Sequence, residues 1–191
     1  MSDNRLDELL AKQAITEVIF RYARAVDRLD EMMLRSVFHP GSMHWHFYQG
    51  PSSDPSLPTS NENPGDFVAY AMHALGKYTR THHQMGNTLI RLESDNLAHS
   101  ETYFTAFHRM RAIGDPLAAP DAYDTEMDFF VGGRYIDVFE YRDDTWAITN
   151  RTGMTDWTRL EAPFTKGFND IAEETRGQRA PQDLIYKSGS I

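Results

Sequence analysis

The chain has 191 residues, of which 40 % are hydrophobic and 25 % charged, with a net charge of -9 and no cysteine. That length suits one domain with its own core, and the composition speaks against both disorder and membrane spanning. The missing thiols remove disulfides, cysteine nucleophiles and sulfur-bound metals. Negative charge without a Lys/Arg cluster disfavours a nucleic-acid surface, leaving a small molecule or another copy of the chain as the expected partner.

From Arg5 to Leu29 nothing breaks a helix, and Leu6, Leu9, Leu10, Ile15, Val18, Ile19, Tyr22, Ala23 and Val26 recur mostly at three- and four-residue spacings. Apolar residues on more than one side of this helix predict packing against two surfaces. The first residues lack the basic start and apolar run of a secretory signal, so a cytoplasmic protein is expected. A short second helix is predicted over Asp30 to Val37, ended by Pro40 and Gly41. Ser42 to Gln49 reads as a strand, and the Pro/Ser/Asn-rich stretch from Gly50 to Pro64 as a long loop of the kind that forms lids. A third helix fits "GDFVAYAMHALGKY".

The period then changes. "QMGNTLIRLES", "LAHSETYFTAFHRMRA", "EMDFFVGGRYIDVFEYR" and "TWAITNRTGMTDW" are rich in aromatic and β-branched residues and separated by turn signals. Helices followed by strands predict an α+β fold with helices on one face of an antiparallel sheet. Asp143 and Asp144 form a candidate two-residue hairpin loop, which would set Tyr141 opposite Trp146, Phe139 opposite Ile148 and Ile136 opposite Arg151. Residues 1–162 are read as one domain. Residues 163–191 are read as a helical stretch, Gly167 to Arg176, and an arm with an apolar clip at Leu184 to Tyr186, suited to a subunit interface.

Chemistry is confined to few residues. His44 and His46 share a strand face, as two metal ligands would, but no spacing specifies a third, and a polar wall or solvent contact is the favoured reading. No metal or other cofactor is expected. No Gly-x-Ser-x-Gly occurs, and the glycines of "GNTLIR" and "GGRY" stand in or beside strands rather than in phosphate loops. His39, His73, His99 and His108 have no partner that the sequence names. What remains is Asp27, closing the long helix, and His82 or His83 at the head of a strand. An imidazole whose far nitrogen donates to a carboxylate has its tautomer fixed and its protonated form stabilised, as a general base requires.

Three segments carry a resemblance: "RYARAVDRLDEMMLRSVFHPGSMHWHF", "THHQMGNTLIRLESDNLAHSETYF" and "GGRYIDVFEYRDDTWAITNRTGM". Over about Leu6 to Trp157 the chain resembles the SnoaL-like branch of the nuclear transport factor 2-like superfamily, whose hexachlorocyclohexane dehydrochlorinase, scytalone dehydratase and bile-acid 7α-dehydratase catalyse cofactor-free eliminations. The resemblance implies a cone-shaped, curved antiparallel sheet wrapped around about three N-terminal helices, a cystatin-like α+β roll with a deep pocket. It implies that His83, four residues before Asn87, is the base rather than His82, that Asp27 is its partner, and that Tyr22 and Arg151 are the hydrogen-bond donors of the site. Trp45, Phe47, Tyr103, Phe107, Phe129 and Trp157 are candidate aromatic walls for a hydrophobic, ring-bearing substrate.

The activity so implied is a lyase of dehydratase or dehydrohalogenase type. Homo-oligomers, trimers or dimers, are implied too. The long loop, the segment "IGDPLAAPDAYDTEMD" and the tail depart from the dehydrochlorinase pattern and bear on the substrate. A ketosteroid-isomerase-like enzyme with a carboxylate base, a dioxygenase small-subunit-like scaffold and a non-catalytic ligand-binding protein are the rival readings, since one fold hosts several functions.

Overall fold

The computed structural model describes residues 3–46, 67–163 and 171–188. Helix α1 spans Asp3–Arg28 and ends where Leu29 takes a left-handed conformation (φ 51°). Asp30 then caps α2, Glu31–Ser36, by accepting from the Met33 amide at 3.0 Å. Strand β1 runs Phe38–His46 and α3 Phe67–Gly76. Four long strands follow: β2 Tyr78–Ser94, β3 Leu97–Met110, β4 Met127–Arg142 and β5 Thr145–Glu161. With β1 they form one curved, unclosed sheet of five strands in the order β1-β5-β4-β3-β2.

This is the α+β architecture that the helix-then-strand order predicts, with one difference in direction. Strand β1 pairs with β5 in parallel, while all other pairs are antiparallel. The cause is connectivity, since β1 follows the helices and enters at the far edge rather than through a hairpin. β1 also begins earlier than expected, with a register shift between Phe38 and Met43 that absorbs Pro40 and Gly41 (φ 79°). β2 begins at Tyr78, so both adjacent histidines stand inside the strand rather than ahead of it.

One face of α1 supplies Ile15, Val18, Ile19, Tyr22, Ala25 and Val26 to a core completed by Ala98, Phe104, Ala106, Val131, Tyr135, Phe139 and Ile148 from the sheet. Burial of each large aliphatic side chain stabilises the fold by about 1.5–3 kcal/mol. Leu6, Leu9 and Leu10 are 55–63 % exposed, so among the described residues the N-terminal half of α1 meets no second surface. Asp143 and Asp144 both take positive φ (49° and 59°), the conformation a tight hairpin demands, and Tyr141 pairs with Trp146 and Phe139 with Ile148 as expected.

Beyond that point the expected register fails. Thr149 is bulged out, so Arg151 pairs with Asp137 instead of Ile136 and turns to the inner face. The loop from Gly50 to Pro64 and the end of the expected first strand, Phe47 to Gln49, lie outside the described residues. So does the first part of the expected tail helix, of which Glu173–Thr175 forms a 3₁₀ turn; α4, Leu184–Ser188, then occupies the apolar clip. Among the described residues no helix is long and apolar enough to cross a membrane.

Candidate active site

Period-two alternation decides between the two histidines. His82 is exposed, and His83, one residue on, points inward toward the end of α1. There Asp27 grips it twice. Oδ2 accepts from the His83 backbone amide and Oδ1 faces the ring Nδ1, both at 2.8 Å. Both side chains are buried, at 7 % and 9 % exposure. Burial pushes the Asp27 carboxyl upward, but the hydrogen bonds and charge of His83 outweigh that and hold it below its ordinary value. An ionised carboxylate only accepts, so Nδ1 carries the proton and Nε2 the lone pair.

His83 lines a cavity of about 140 Å³ between α1, α3 and the inner face of β2 to β5. An apolar cavity of about 150 Å³ admits a single benzene-sized ring. Its walls mix Val26, Phe104, Phe129 and Val131 with the hydroxyl-bearing Tyr22, Tyr70, Tyr78 and Tyr135. Two larger grooves, about 710 and 550 Å³, run along α1 between Asp7 and Arg21; their lining mixes charged and apolar side chains and, among the described residues, contains no histidine. His83 lines the smaller one.

Tyr22 is 3 % exposed and meets Tyr135 edge-on, ring centroids 5.5 Å apart. Behind this pair the Arg151 guanidinium lies over both rings, 4.1 Å from the Tyr22 centroid and 4.2 Å from that of Tyr135. Its Nε and Nη2 each donate to Asp137 at 2.7 Å, and neither side chain has any exposure. Burial raises the proton affinity of both tyrosines, so they stay neutral hydrogen-bonding groups. Arg151 is not part of the cavity wall. It stands behind the tyrosines, reached through the Thr149 bulge.

Of the six expected aromatic walls, Phe129 lines the cavity. Tyr103 and Phe107 alternate with the inward Thr102, Phe104, Ala106 and His108, and so lie on the outer face, against Arg134 and Phe130 respectively. A second bulge, at Asp156, sets Trp157 opposite Gly132 on the outer face, where it is 47 % exposed. Phe47 and the side chain of Trp45 lie outside the described residues. His44 is buried, its ring stacked on Phe67 at 3.5 Å. Among the described residues no three His, Asp or Glu side chains are grouped to hold a metal ion.

Residues 7–152 match the family model described as the SnoaL-like domain. The chain belongs to the SnoaL-like family. No curated protein matches it in sequence. Among solved structures it is similar to a type 2 hexachlorocyclohexane dehydrochlorinase, LinA, with a TM-score of 0.65 and 14 % identity over 84 % of this chain and 95 % of that one. It is also similar to a candidate scytalone dehydratase of Novosphingobium aromaticivorans, with a TM-score of 0.59 and 19 % identity over 86 % and 97 % of the two chains. A Nostoc punctiforme protein with a cystatin-like fold gives 0.54 and 16 %, over 77 % and 92 %. At these identities the likeness is one of fold.

Two residues of this SnoaL-like site escaped the sequence reading. His108 is 7 % exposed, edge-on to His83 at 5.2 Å and tilted against Tyr78 at 4.8 Å, and its Nδ1 has no hydrogen-bond partner among the described residues. Burial first, then the neighbouring His83, pushes its pKa down to about 3, so it is neutral at physiological pH. Tyr135, the tyrosine of "GGRY", is the other. Counting in twos from Phe104 finds His108, and counting from Phe139 finds Tyr135.

Proposed function

We propose that the protein is a cofactor-independent lyase, of dehydratase or dehydrohalogenase type, acting on a small hydrophobic molecule that bears a ring. The observation that carries the reading is the two-point grip of Asp27 on His83, which leaves Nε2 as a base at the wall of a small, mostly apolar cavity. Nε2 takes a proton from a substrate carbon, the C–H electron pair becomes the new C=C bond, and a hydroxide or halide leaves from the adjacent carbon with its bonding pair. Asp27 stabilises the imidazolium so formed, which then returns its proton to the departing hydroxide or to solvent. Tyr22, whose hydroxyl accepts from that of Tyr135, donates a hydrogen bond to the oxygen or halide that gains charge. Arg151, whose cation lies over both rings, holds the two tyrosines and favours their donor role.

The reactions named for the two structural relatives, a dehydrochlorination and a dehydration, agree with this class. A carboxylate-base isomerase is less well supported, because both Asp27 oxygens are engaged by His83. Homo-oligomer formation belongs to the same proposal, and sedimentation velocity measures it.

The test is a screen of hydroxy- and halo-substituted ring compounds for alkene formation by wild type, His83→Ala and Asp27→Asn. General acid–base assistance contributes about 10²- to 10⁴-fold, so both variants should lose at least about 100-fold in kcat/KM. Activity that survives in His83→Ala and disappears in Asp27→Asn refutes the histidine base and favours the isomerase-type carboxylate.

A further inference from the structure

The last turn of a helix leaves its carbonyls without intrahelical partners, and Asp27 stands in that turn of α1. Those carbonyls are met by Arg179, a residue of the tail beyond the region matching the family model. Nη1 donates to the Asp27 carbonyl at 2.9 Å and reaches that of Val26 at 3.4 Å, while Nη2 reaches the carbonyls of Leu75 and Tyr78, both at 3.4 Å. These acceptors belong to α1, the end of α3 and the first residue of β2. α1 carries Asp27, α3 walls the cavity, and β2 carries His83 five residues on. One guanidinium therefore ties together the three elements whose spacing sets the Asp27–His83 contact.

The fork is delivered by an anchored segment. The Ala180 amide donates to the Arg28 carbonyl at 2.7 Å, Arg28 pairs with Asp183 at 3.2 Å, and the Tyr186 hydroxyl donates to Asp30 at 2.8 Å. The guanidinium charge also lies near enough to act on both Asp27 and His108. A planar, multidentate cation spans several carbonyls at fixed geometry, which a lysine ammonium or a neutral amide does not.

We propose that Arg179 is a positioning residue for the Asp27–His83 pair, the tail locking the ends of α1 and α3 onto the start of β2. This rests on the dyad reading above. Arg176, the other guanidinium of the tail, donates to the Ile171 carbonyl of the tail itself, whereas Arg179 reaches the carbonyl of Asp27.

The experiment is NMR of the full chain, reading exchange with water of the His83 backbone amide and of its ring Nδ1–H, both of which Asp27 holds. The Ile148 amide, bonded to the Val37 carbonyl in β5, serves as the internal reference. In Arg179→Gln the two His83 protons should exchange about tenfold or more faster relative to Ile148, the size expected when a charge-assisted hydrogen bond that resists local opening is removed. Tyr186→Phe, which weakens tail docking at Asp30 without touching Asp27, should leave them at the wild-type ratio. Should Arg179→Gln not fold, Arg179→Lys, which keeps the charge but not the fork, is read in the same way. An unchanged ratio in the Arg179 variant, or an equal acceleration in Tyr186→Phe, overturns the positioning role. Wild-type His83 protons that do not respond to Asp27→Asn overturn the dyad reading and the proposal with it, whereas a response to Asp27→Asn alone overturns only the role of Arg179.

Discussion

Acid should destabilise this protein through His108 well before its carboxylates titrate. In the folded state burial and the adjacent His83 hold the His108 pKa at about 3, against 6.5 for an unperturbed imidazole. Between those values the unfolded chain binds a proton at this site that the folded chain refuses, so stability falls as pH falls. The contribution is complete above about pH 6.5 and lost by about pH 3. Each pH unit inside the window is worth about 1.4 kcal/mol, so going from pH 8 to pH 5 should cost about 2 kcal/mol from this residue. That is a large share of the roughly 5–15 kcal/mol that holds a domain together.

The assay is urea unfolding at a series of pH values, followed by tryptophan fluorescence, for wild type and His108→Phe. The variant keeps a ring in the site and cannot titrate, and the other histidines are common to both proteins. Wild-type stability should drop faster with falling pH, the two curves diverging by about 2 kcal/mol at pH 5 relative to pH 8. Parallel curves would refute the argument, because they would mean that His108 takes up its proton equally well in both states.

Further consequences can be measured independently. Asp137→Ala strands the fully buried Arg151 cation and should cost about 3–5 kcal/mol in urea unfolding, whereas Asp137→Leu with Arg151→Met should cost much less. Gly133→Ala places a methyl group against the Met154 carbonyl, forcing β4 and β5 apart, and should cost at least about 2 kcal/mol; Gly86→Ala, which meets only ordinary contacts, should change stability by less than about 1 kcal/mol. The Asp27 carboxyl is held below its ordinary 3.8, so its stabilising contribution is full above that value and lost as pH falls through the lower, folded one. Asp27→Asn should therefore remove part of the acid-unfolding slope in that window. Persistence of the full slope would argue against the grip on His83.

Features governed by near neighbours were legible in the sequence. The 3.6-residue period of α1 from Ile15 to Val26 marks the face that packs on the sheet, and the two aspartates at 143 and 144 mark a hairpin because they tolerate positive φ. The order of helices and strands points to α+β. The Asp27 and His83 positions were legible through the motifs around them, which carry a spacing that no short-range rule explains.

What tertiary structure alone decided is which side of the sheet each side chain faces, and what the tail touches. A strand shows its two faces alternately, so one extra residue exchanges them for everything beyond it. The bulge at Thr149 brings Arg151 inside to Asp137, and the bulge at Asp156 returns Trp157 to the outer face. Neither bulge is signalled by its residue type, because it reflects the fit of two strands of 16 and 17 residues along a curved surface. His108 meets His83, and Arg179 meets the end of α1, across separations of 25 and 152 residues. Such contacts arise only after the core has closed, when burial turns a partner that is optional in water into one that the buried charge and carbonyls require.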